Sequence, residues 1–130
     1  MNLKEVENIY FIGIGGVGMS AIARYFHTNG KRIAGYDKTS TKITEELQSL
    51  GIEIHFEDAI GSIPSEFKDQ QSTLIVFTPA IPDSHIELNF FLENAFIVIK
   101  RAEILGLITK NSFCFAVAGT HGKTTTSCIL

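Results

Sequence analysis

The amino-acid sequence predicts an α/β fold, a doubly wound (Rossmann-like) parallel sheet of about five strands. The first observation is an apolar run, 9–12, that gives way to a glycine-rich loop and then to a helical pattern. The second is that strand-like and helix-like segments alternate along the whole chain. The third is the continuous apolar run 74–77, which is typical of a strand buried on both faces of a parallel sheet.

The glycine-rich loop has a G-x-G-x-x-G pattern at Gly13, Gly15 and Gly18. In such loops the first glycine permits the tight turn and the second lets a diphosphate approach the backbone. The third lets the helix pack close to the sheet. The helix that follows directs free N–H groups and its positive dipole end at an anion. Asp37 is the acidic residue that, in such sites, accepts a hydrogen bond from a nucleotide hydroxyl. The alternative is a plain strand-to-helix turn.

The first half of the chain continues with a helix, a strand, a second helix and a third strand. Helical spacing of apolar residues predicts the first helix, and Asn29-Gly30 predicts its end. A strand at 32–36 precedes the N-cap candidates 39–41 of the second helix, which Gly51 ends. Alternation over 52–56 predicts a half-exposed strand near a sheet edge. The residues predicted to be buried in the two helices are Met19, Ile22 and Phe26, and Ile43, Leu47 and Leu50.

The second half contains a weakly periodic segment, two buried strands and two helices. Residues 58–71 are predicted to be a loop with at most one helical turn. Residues 84–87 have the form of a capping box at the start of a helix. A second buried strand is predicted at 96–99 and a short helix at 101–108. The residues predicted to face inward in these helices are Leu88, Phe91, Leu92, Ala95, Ile104, Leu105 and Ile108.

Ligands of doubly wound sheets bind at the carboxyl ends of the strands, where three of these segments meet. They are the loop 13–18, Asp37, and the segment 78–82 after the fourth strand. His27, His55 and His85 are predicted to share no common face and to have surface or structural roles. The residues predicted to bind the ligand are Gly13, Ile14, Gly15, Gly16, Val17, Gly18, Met19, Asp37, Thr78 and Ala80.

The composition is that of a folded globular chain that does not rely on a basic surface. Hydrophobic residues make up 45% and charged residues 19% of the 130 residues, which excludes a disordered protein. The formal net charge of −3 argues against a nucleic-acid-binding protein. No apolar run is long enough for a membrane span, and the first strand begins too early for a signal peptide. We therefore expect a cytoplasmic protein in which Cys114 and Cys128 are core thiols.

A second phosphate loop follows a sixth strand-like run at 113–118. Its end, 122–124, matches the closing G-K-[ST] of nucleoside-triphosphate loops, in which the lysine reaches the β- and γ-phosphates and the hydroxyl ligates Mg²⁺. The match is imperfect, because Val117 and Ala118 stand where the usual pattern needs a glycine, and the alternative is a Lys-Thr-rich turn. The predicted ATP-binding residues are Gly119, Thr120, His121, Gly122, Lys123, Thr124 and Thr125, with Lys123 and Thr124 catalytic and Thr124 a Mg²⁺ ligand.

These observations predict a complete first domain at 1–108 and the start of an ATP-binding domain at 109–130. The remaining parts of the second domain are expected to lie outside this sequence. A strand that is apolar on both faces and lacks its neighbours would be an exposed sheet edge. Residues 111–130 could cover this edge by packing against their own first domain or against a second copy, and we expect the second, a homodimer that forms through these residues.

The two phosphate loops together resemble those of the Mur ligases of peptidoglycan synthesis. The resemblance covers the whole chain and includes two further segments, Thr78-Pro79-Ala80-Ile81-Pro82 and Arg101-Ala102-Glu103-Ile104-Leu105-Gly106. The first resembles the family's loop after the fourth strand, although many relatives carry two serines at the positions of Thr78 and Pro79. The second resembles the family's segment before the ATPase domain.

The resemblance implies an ATP-dependent ligase that activates the carboxylate of UDP-N-acetylmuramate as an acyl phosphate, which the amine of L-alanine attacks. The first domain would hold the UDP part. The first loop would bind the diphosphate, and Asp37 would accept a hydrogen bond from a ribose or other nucleotide hydroxyl. Lys123 and Thr124 would begin the ATP site, and the L-alanine site would lie beyond Leu130. Three alternatives remain: a murein-peptide-recycling ligase of the same family, a nicotinamide-dependent oxidoreductase domain, and a nucleotide-binding module without chemistry.

Overall fold

The computed structural model describes residues 5–111 of the chain, with side chains up to residue 106. The predicted ATP loop, the strand at 113–118 and both cysteines lie outside the described residues. The same holds for most of the segment predicted to form the homodimer.

The described residues form an α/β fold whose single sheet is parallel throughout, which confirms the predicted fold class. The strands are β1 (Asn8–Ile12), β2 (Arg32–Tyr36), β3 (Glu53–His55), β4 (Thr73–Phe77) and β5 (Ile97–Lys100). The helices are α1 (Val17–Thr28), α2 (Lys42–Ser49), α3 (Ile86–Glu93) and α4 (Arg101–Asn111). The strand order is β3-β2-β1-β4-β5, so β1 is central and β3 and β5 are the edges.

Two apolar clusters cover the two faces of the sheet, because successive side chains of a strand point to opposite faces. On one face, Phe11 packs in a cluster with the predicted core residues Met19, Ile22 and Phe26 of α1, and with Ile104 of α4. On the other face the cluster contains Tyr10 and Ile12 of β1 and Leu88 and Phe91 of α3. Phe67 of this second cluster lies in one of two short 3₁₀ turns, Ile60–Ser62 and Ser65–Lys68, where the sequence predicted at most one helical turn.

The sheet register brings the carboxyl ends of three strands level with one another. Ile12 at the end of β1 is paired with Tyr36 at the end of β2 and with Phe77 at the end of β4. The loops that begin at Gly13, Asp37 and Thr78 therefore start side by side, as the sequence predicted.

The prediction that the last strand is buried is wrong, because β5 is an edge strand. Ile97 is 47% exposed, and β4 is the only partner of β5 among the described residues. An apolar run does not distinguish an interior strand from an edge strand, since burial depends on the order of neighbours in the sheet. The prediction that 52–56 lies near an edge is confirmed by the position of β3.

Some residues predicted to face inward from the helices are exposed. Leu92 is 55% exposed because the buried side of the short helix α3 consists of Glu87, Leu88 and Phe91. Ala95 lies beyond the end of this helix, at φ +63°. Leu50 is the C-cap residue of α2 and is 46% exposed, and Leu105 is 38% exposed. None of the helices within residues 5–111 is long and apolar enough to cross a membrane.

Candidate nucleotide-binding site

A cleft of about 480 Å³ opens at the carboxyl edge of the sheet, between the loops that follow β1, β2 and β4. Of the ten residues predicted to bind the ligand, Gly13, Gly16, Asp37, Thr78 and Ala80 line this cleft. Ile81 and Pro82, of the segment 78–82 that the sequence placed at this edge, also line the cleft. The remaining walls are formed by residues that the sequence analysis did not assign to the site: Tyr36, Lys38, Asp58 and His85.

The loop after β1 is fixed by hydrogen bonds to the end of β2. The amides of Gly13 and Ile14 both donate to the main-chain oxygen of Tyr36, at 2.8 Å and 3.0 Å. Gly13 has φ +94°, and a Cβ at this position would lie 2.8 Å from the γ-methyl of Thr78. The first glycine of the pattern therefore provides both the left-handed turn and the close approach to the loop after β4.

The second glycine of the pattern faces the carboxylate of Asp37. The amide of Gly15 donates to Asp37 Oδ2 at 2.7 Å, and the amide of Thr39 donates to Oδ1 at 3.1 Å. A Cβ at Gly15 would lie 2.7 Å from Asp37 Oδ2 and 3.0 Å from the γ-methyl of Thr44. In this structure the missing side chain of Gly15 thus makes room for Asp37, which holds the loop to the end of β2.

The nearest neighbours of the third glycine belong to an arginine side chain, which the sequence analysis did not predict. A Cβ at Gly18 would lie 2.5 Å from Nη1 of Arg101, the first residue of α4. Gly18 therefore makes room for an arginine side chain, which comes from a segment 83 residues further along the chain. The sequence pattern alone gives no sign of this neighbour.

The other predicted ligand-binding residues of the loop differ in exposure. The side chains of Ile14 and Met19 are 0% and 1% exposed and belong to the core beneath the loop. Val17 is 78% exposed at the start of α1. The N-cap residue of this helix is Gly16, which provides no side-chain hydrogen bond to the first amides. These amides are the part of the loop best suited to an anion.

A buried polar cluster centred on Glu87 lies beside the cleft. The Glu87 carboxylate is 0% exposed and accepts hydrogen bonds from the hydroxyl of Tyr10 at 2.5 Å and from the amide of Ala59 at 3.2 Å. The ring of His55 approaches the same carboxylate, with Nε2 at 2.7 Å from Oε2. Burial, followed by the charge of Glu87, raises the pKa of Tyr10 far above its ordinary value. Tyr10 is therefore protonated at neutral pH and donates to the carboxylate.

The start of α3 is capped by residues other than those predicted. Its N-cap residue is His85, whose Nδ1 accepts a hydrogen bond from the amide of Leu88 at 3.3 Å. Asp58, from the loop after β3, accepts hydrogen bonds from the amides of Ile86 and Glu87 at 2.9 Å and 3.0 Å. The predicted capping box at 84–87 is wrong, because Glu87 turns toward the sheet to accept from Tyr10 instead of returning to the cap.

Two of the three described histidines contact the same ring, that of Tyr36, although the sequence predicted no common face. The rings of His55 and His85 have centroids 5.9 Å and 4.8 Å from that of Tyr36, which lines the cleft. Partial burial, followed by the charge of Asp58, raises the pKa of Tyr36. His27 lies apart from them, in the last turn of α1.

No group of three or more histidine, cysteine, aspartate and glutamate side chains is arranged to hold a metal ion in the part of the chain that the structure describes. The predicted Mg²⁺ ligand, Thr124, lies outside that part.

Residues 8–113 match the family model described as "Mur ligase family, catalytic domain". Over 130 residues the chain is 60% identical to the UDP-N-acetylmuramate–L-alanine ligase of Flavobacterium johnsoniae, and 53% identical to that of Parabacteroides distasonis. It covers 29% and 28% of the length of these two relatives. The chain therefore spans less than a third of the curated relatives that it matches.

Solved structures with the same fold include two ligases. The crystal structure of the UDP-N-acetylmuramate-alanine ligase of Thermotoga maritima matches with a TM-score of 0.70 and 27% identity, over 81% of this chain and 24% of that chain. A UDP-N-acetylmuramate:L-alanyl-gamma-D-glutamyl-meso-diaminopimelate ligase from Neisseria meningitides matches with a TM-score of 0.67 over 82% of this chain and 31% of that chain. At 20% identity, this second match shows the fold alone.

Proposed function

Because the chain belongs to the Mur ligase family, we propose that it is the nucleotide-binding part of an ATP-dependent ligase that joins L-alanine to UDP-N-acetylmuramate. The observation that carries this proposal is the 60% identity, over all 130 residues, to a relative named UDP-N-acetylmuramate–L-alanine ligase. Since the chain covers 29% of that relative, the reaction is proposed for the longer protein. The 130-residue chain binds the nucleotide and does not catalyse the reaction by itself. It acts in the cytoplasm.

The cleft holds the UDP part of the sugar nucleotide. The diphosphate lies at the first turn of α1, where the main-chain amides and the helix dipole favour negative charge. Asp37 is placed beside this turn and accepts a hydrogen bond from a ribose hydroxyl. Thr78 and Ala80 form the opposite wall, where the Ala80 amide donates to Thr78 Oγ1 at 3.0 Å. Ile81 and Tyr36 provide apolar and aromatic surface for the base.

The ATP site begins in the loop 119–125, which lies outside the described residues. We assign to its residues the roles that the family resemblance implies. A carboxylate is a poor acylating agent, so ATP first transfers its γ-phosphoryl group to the muramoyl carboxylate, which gives an acyl phosphate and releases ADP. The amine of L-alanine then attacks the acyl carbon, and the tetrahedral intermediate collapses to amide and inorganic phosphate. Lys123 would neutralise charge on the transferred phosphoryl group, and Mg²⁺, held in part by Thr124, would supply further neutralisation when bound.

The chain is expected to bind UDP-N-acetylmuramate and to show no detectable binding of NADH. The physical reason is that a UDP-sugar and NADH share a diphosphate but differ in the base and sugar that the rest of the cleft must accept. The measurement is a side-by-side NMR titration with UDP-N-acetylmuramate, UDP and NADH. Amide shifts are expected in residues 13–19 and at Asp37. Saturable NADH binding without any response to the UDP compounds would rule out the ligase proposal and favour an oxidoreductase domain.

Replacing Gly15 with valine is expected to weaken UDP binding at least tenfold, which corresponds to about 1.4 kcal/mol. A Cβ at Gly15 would collide with the carboxylate of Asp37 and the methyl group of Thr44, so Asp37 must leave the amide that now holds it. Calorimetric titration of both proteins with UDP measures the effect. Gly61→Val is the matched control, because nothing lies within 4 Å of a Cβ at Gly61. Unchanged affinity in Gly15→Val would show that this loop is not the diphosphate site.

A further inference from the structure

Arg101 occupies a position that neither the sequence pattern nor the family match assigns to the nucleotide site. It directly follows the last residue of β5, so it lies at the same edge of the sheet as the cleft. Its side chain reaches the first turn of α1, where a Cβ at Gly18 would lie 2.5 Å from Nη1 and 3.3 Å from Cδ. Ile104, which is 0% exposed, anchors α4 in the same cluster as Met19 of α1. Packing of the two helices therefore sets where the guanidinium group lies.

The guanidinium group has no negative partner in the part of the chain that the structure describes. The side chain of Arg101 takes part in none of the ion pairs or side-chain hydrogen bonds found among the described residues. The first turn of α1 contains no acidic residue, and Gly16 gives it no side-chain cap. The carboxylate of the neighbouring loop, Asp37, is already bonded to the amides of Gly15 and Thr39.

Two positive groups thus lie side by side at the start of α1. The N-terminus of a helix carries a partial charge of roughly +0.5, and the guanidinium group adds a full positive charge beside it. This juxtaposition is unfavourable by itself and becomes favourable when an anion lies between the two groups. The planar guanidinium fork suits two phosphate oxygens in particular, because it can donate two parallel hydrogen bonds.

We propose that Arg101 is a further substrate-binding residue, which holds the diphosphate of the nucleotide against the first amides of α1. The inference rests on the proposed function, because a UDP-sugar supplies the diphosphate. It also explains the third glycine of the loop pattern. A side chain at position 18 would meet the guanidinium group where it now lies, so a larger residue there would displace Arg101 from this position.

The test compares UDP with uridine, since the two ligands share the nucleoside and differ in the diphosphate. The 130-residue chain and its Arg101→Gln variant are titrated with both ligands. Arg101→Gln is expected to weaken UDP binding about tenfold or more, in line with the loss of a charge-assisted hydrogen bond, and to leave uridine binding unchanged. The matched control is Arg24→Gln. It removes an exposed arginine of α1, the helix whose first turn Arg101 reaches, and Arg24 is paired with Glu46 at 2.9 Å. UDP binding by this control is expected to equal that of the unmodified chain.

Two further variants test the link between Gly18 and Arg101. Gly18→Ala is expected to weaken UDP binding by displacing the guanidinium group. The double variant Gly18→Ala, Arg101→Gln is expected to bind UDP no more weakly than Arg101→Gln alone, because the displaced group is then absent. Arg101→Lys keeps the charge but loses the fork, and is expected to bind UDP with intermediate affinity. Thermal unfolding of each variant checks that it is folded.

The outcomes separate the inference from the proposed function. If the unmodified chain binds UDP and Arg101→Gln binds it equally well, Arg101 is not a substrate-binding residue, while the proposed function stands. An equal loss of UDP and uridine binding would also overturn the inference, because it would indicate a change outside the diphosphate site. If the unmodified chain binds no UDP compound, both the inference and the proposed function are wrong.

Discussion

Replacing Glu87 with alanine is expected to lower the free energy of unfolding by about 3 kcal/mol. The carboxylate is fully buried and is the acceptor for the hydroxyl of Tyr10 and the amide of Ala59. Burying a carboxylate is itself costly, so its removal relieves a desolvation penalty. That gain is smaller than the loss, because the truncation removes the carboxylate acceptor of the Tyr10 hydroxyl, leaves only His55 Nε2 near it at 2.9 Å, and opens a cavity between α3 and the sheet.

Urea-induced unfolding of the two proteins measures the difference. Glu93→Ala is the matched control, since it makes the same chemical change at an exposed position of the same helix, and its effect is expected to stay within about 0.5 kcal/mol. The double variant Glu87→Ala, Tyr10→Phe is expected to be more stable than the sum of the single effects predicts, because the buried hydroxyl that lost its carboxylate acceptor is then absent. If Glu87→Ala is as stable as Glu93→Ala, the buried cluster contributes nothing to the fold.

Replacing Gly35 with alanine is expected to lower the free energy of unfolding by about 2–3 kcal/mol. Gly35 lies in β2 opposite Phe11, and a Cβ there would lie 2.7 Å from the main-chain oxygen of Phe11. It would also lie 2.8 Å from Cδ1 and 3.0 Å from Cβ of Ile14, which is 0% exposed. A main-chain atom of the central strand cannot move without disturbing the sheet, so Ile14 and the loop that carries it must be displaced.

The same unfolding measurement tests this expectation, with Gly61→Ala as the control. Gly61 lies in a 3₁₀ turn with nothing within 4 Å of its Cβ position, and its alanine variant is expected to match the unmodified chain. Equal stability of the two variants would mean that the sheet absorbs a methyl group at position 35 without strain.

The elements were predictable from the sequence where neighbouring residues determine them. The predicted strand at 32–36 agrees with β2, and the helix ends predicted from Gly30 and Gly51 coincide with φ values of +85° and +97°. A left-handed residue after a helix is a local requirement, and glycine meets it at the lowest steric cost. The meeting of three loops at one edge was also predictable, because parallel strands share a direction.

The neighbours that come from distant parts of the chain were not predictable. Glu87 meets Tyr10 across 77 residues and His55 across 32 residues, and no local pattern records either contact. Residues 84–87 satisfied the sequence rule for a capping box, and the tertiary contact with Tyr10 overrode it. Asp58 could have been assigned to the cleft, since it follows the third predicted strand as Asp37 follows the second.

Hydrogen bonds within the protein determine whether the loop after β1 loses its conformational entropy during folding or during ligand binding. The amides of Gly13, Ile14 and Gly15 are bonded to Tyr36 and Asp37, so the protein's own contacts fix these residues. Ordering a flexible backbone residue costs about 1–2 kcal/mol, and here that cost falls on the folding of the chain. A nucleotide therefore meets a preorganised backbone, and its affinity is not reduced by having to order the loop.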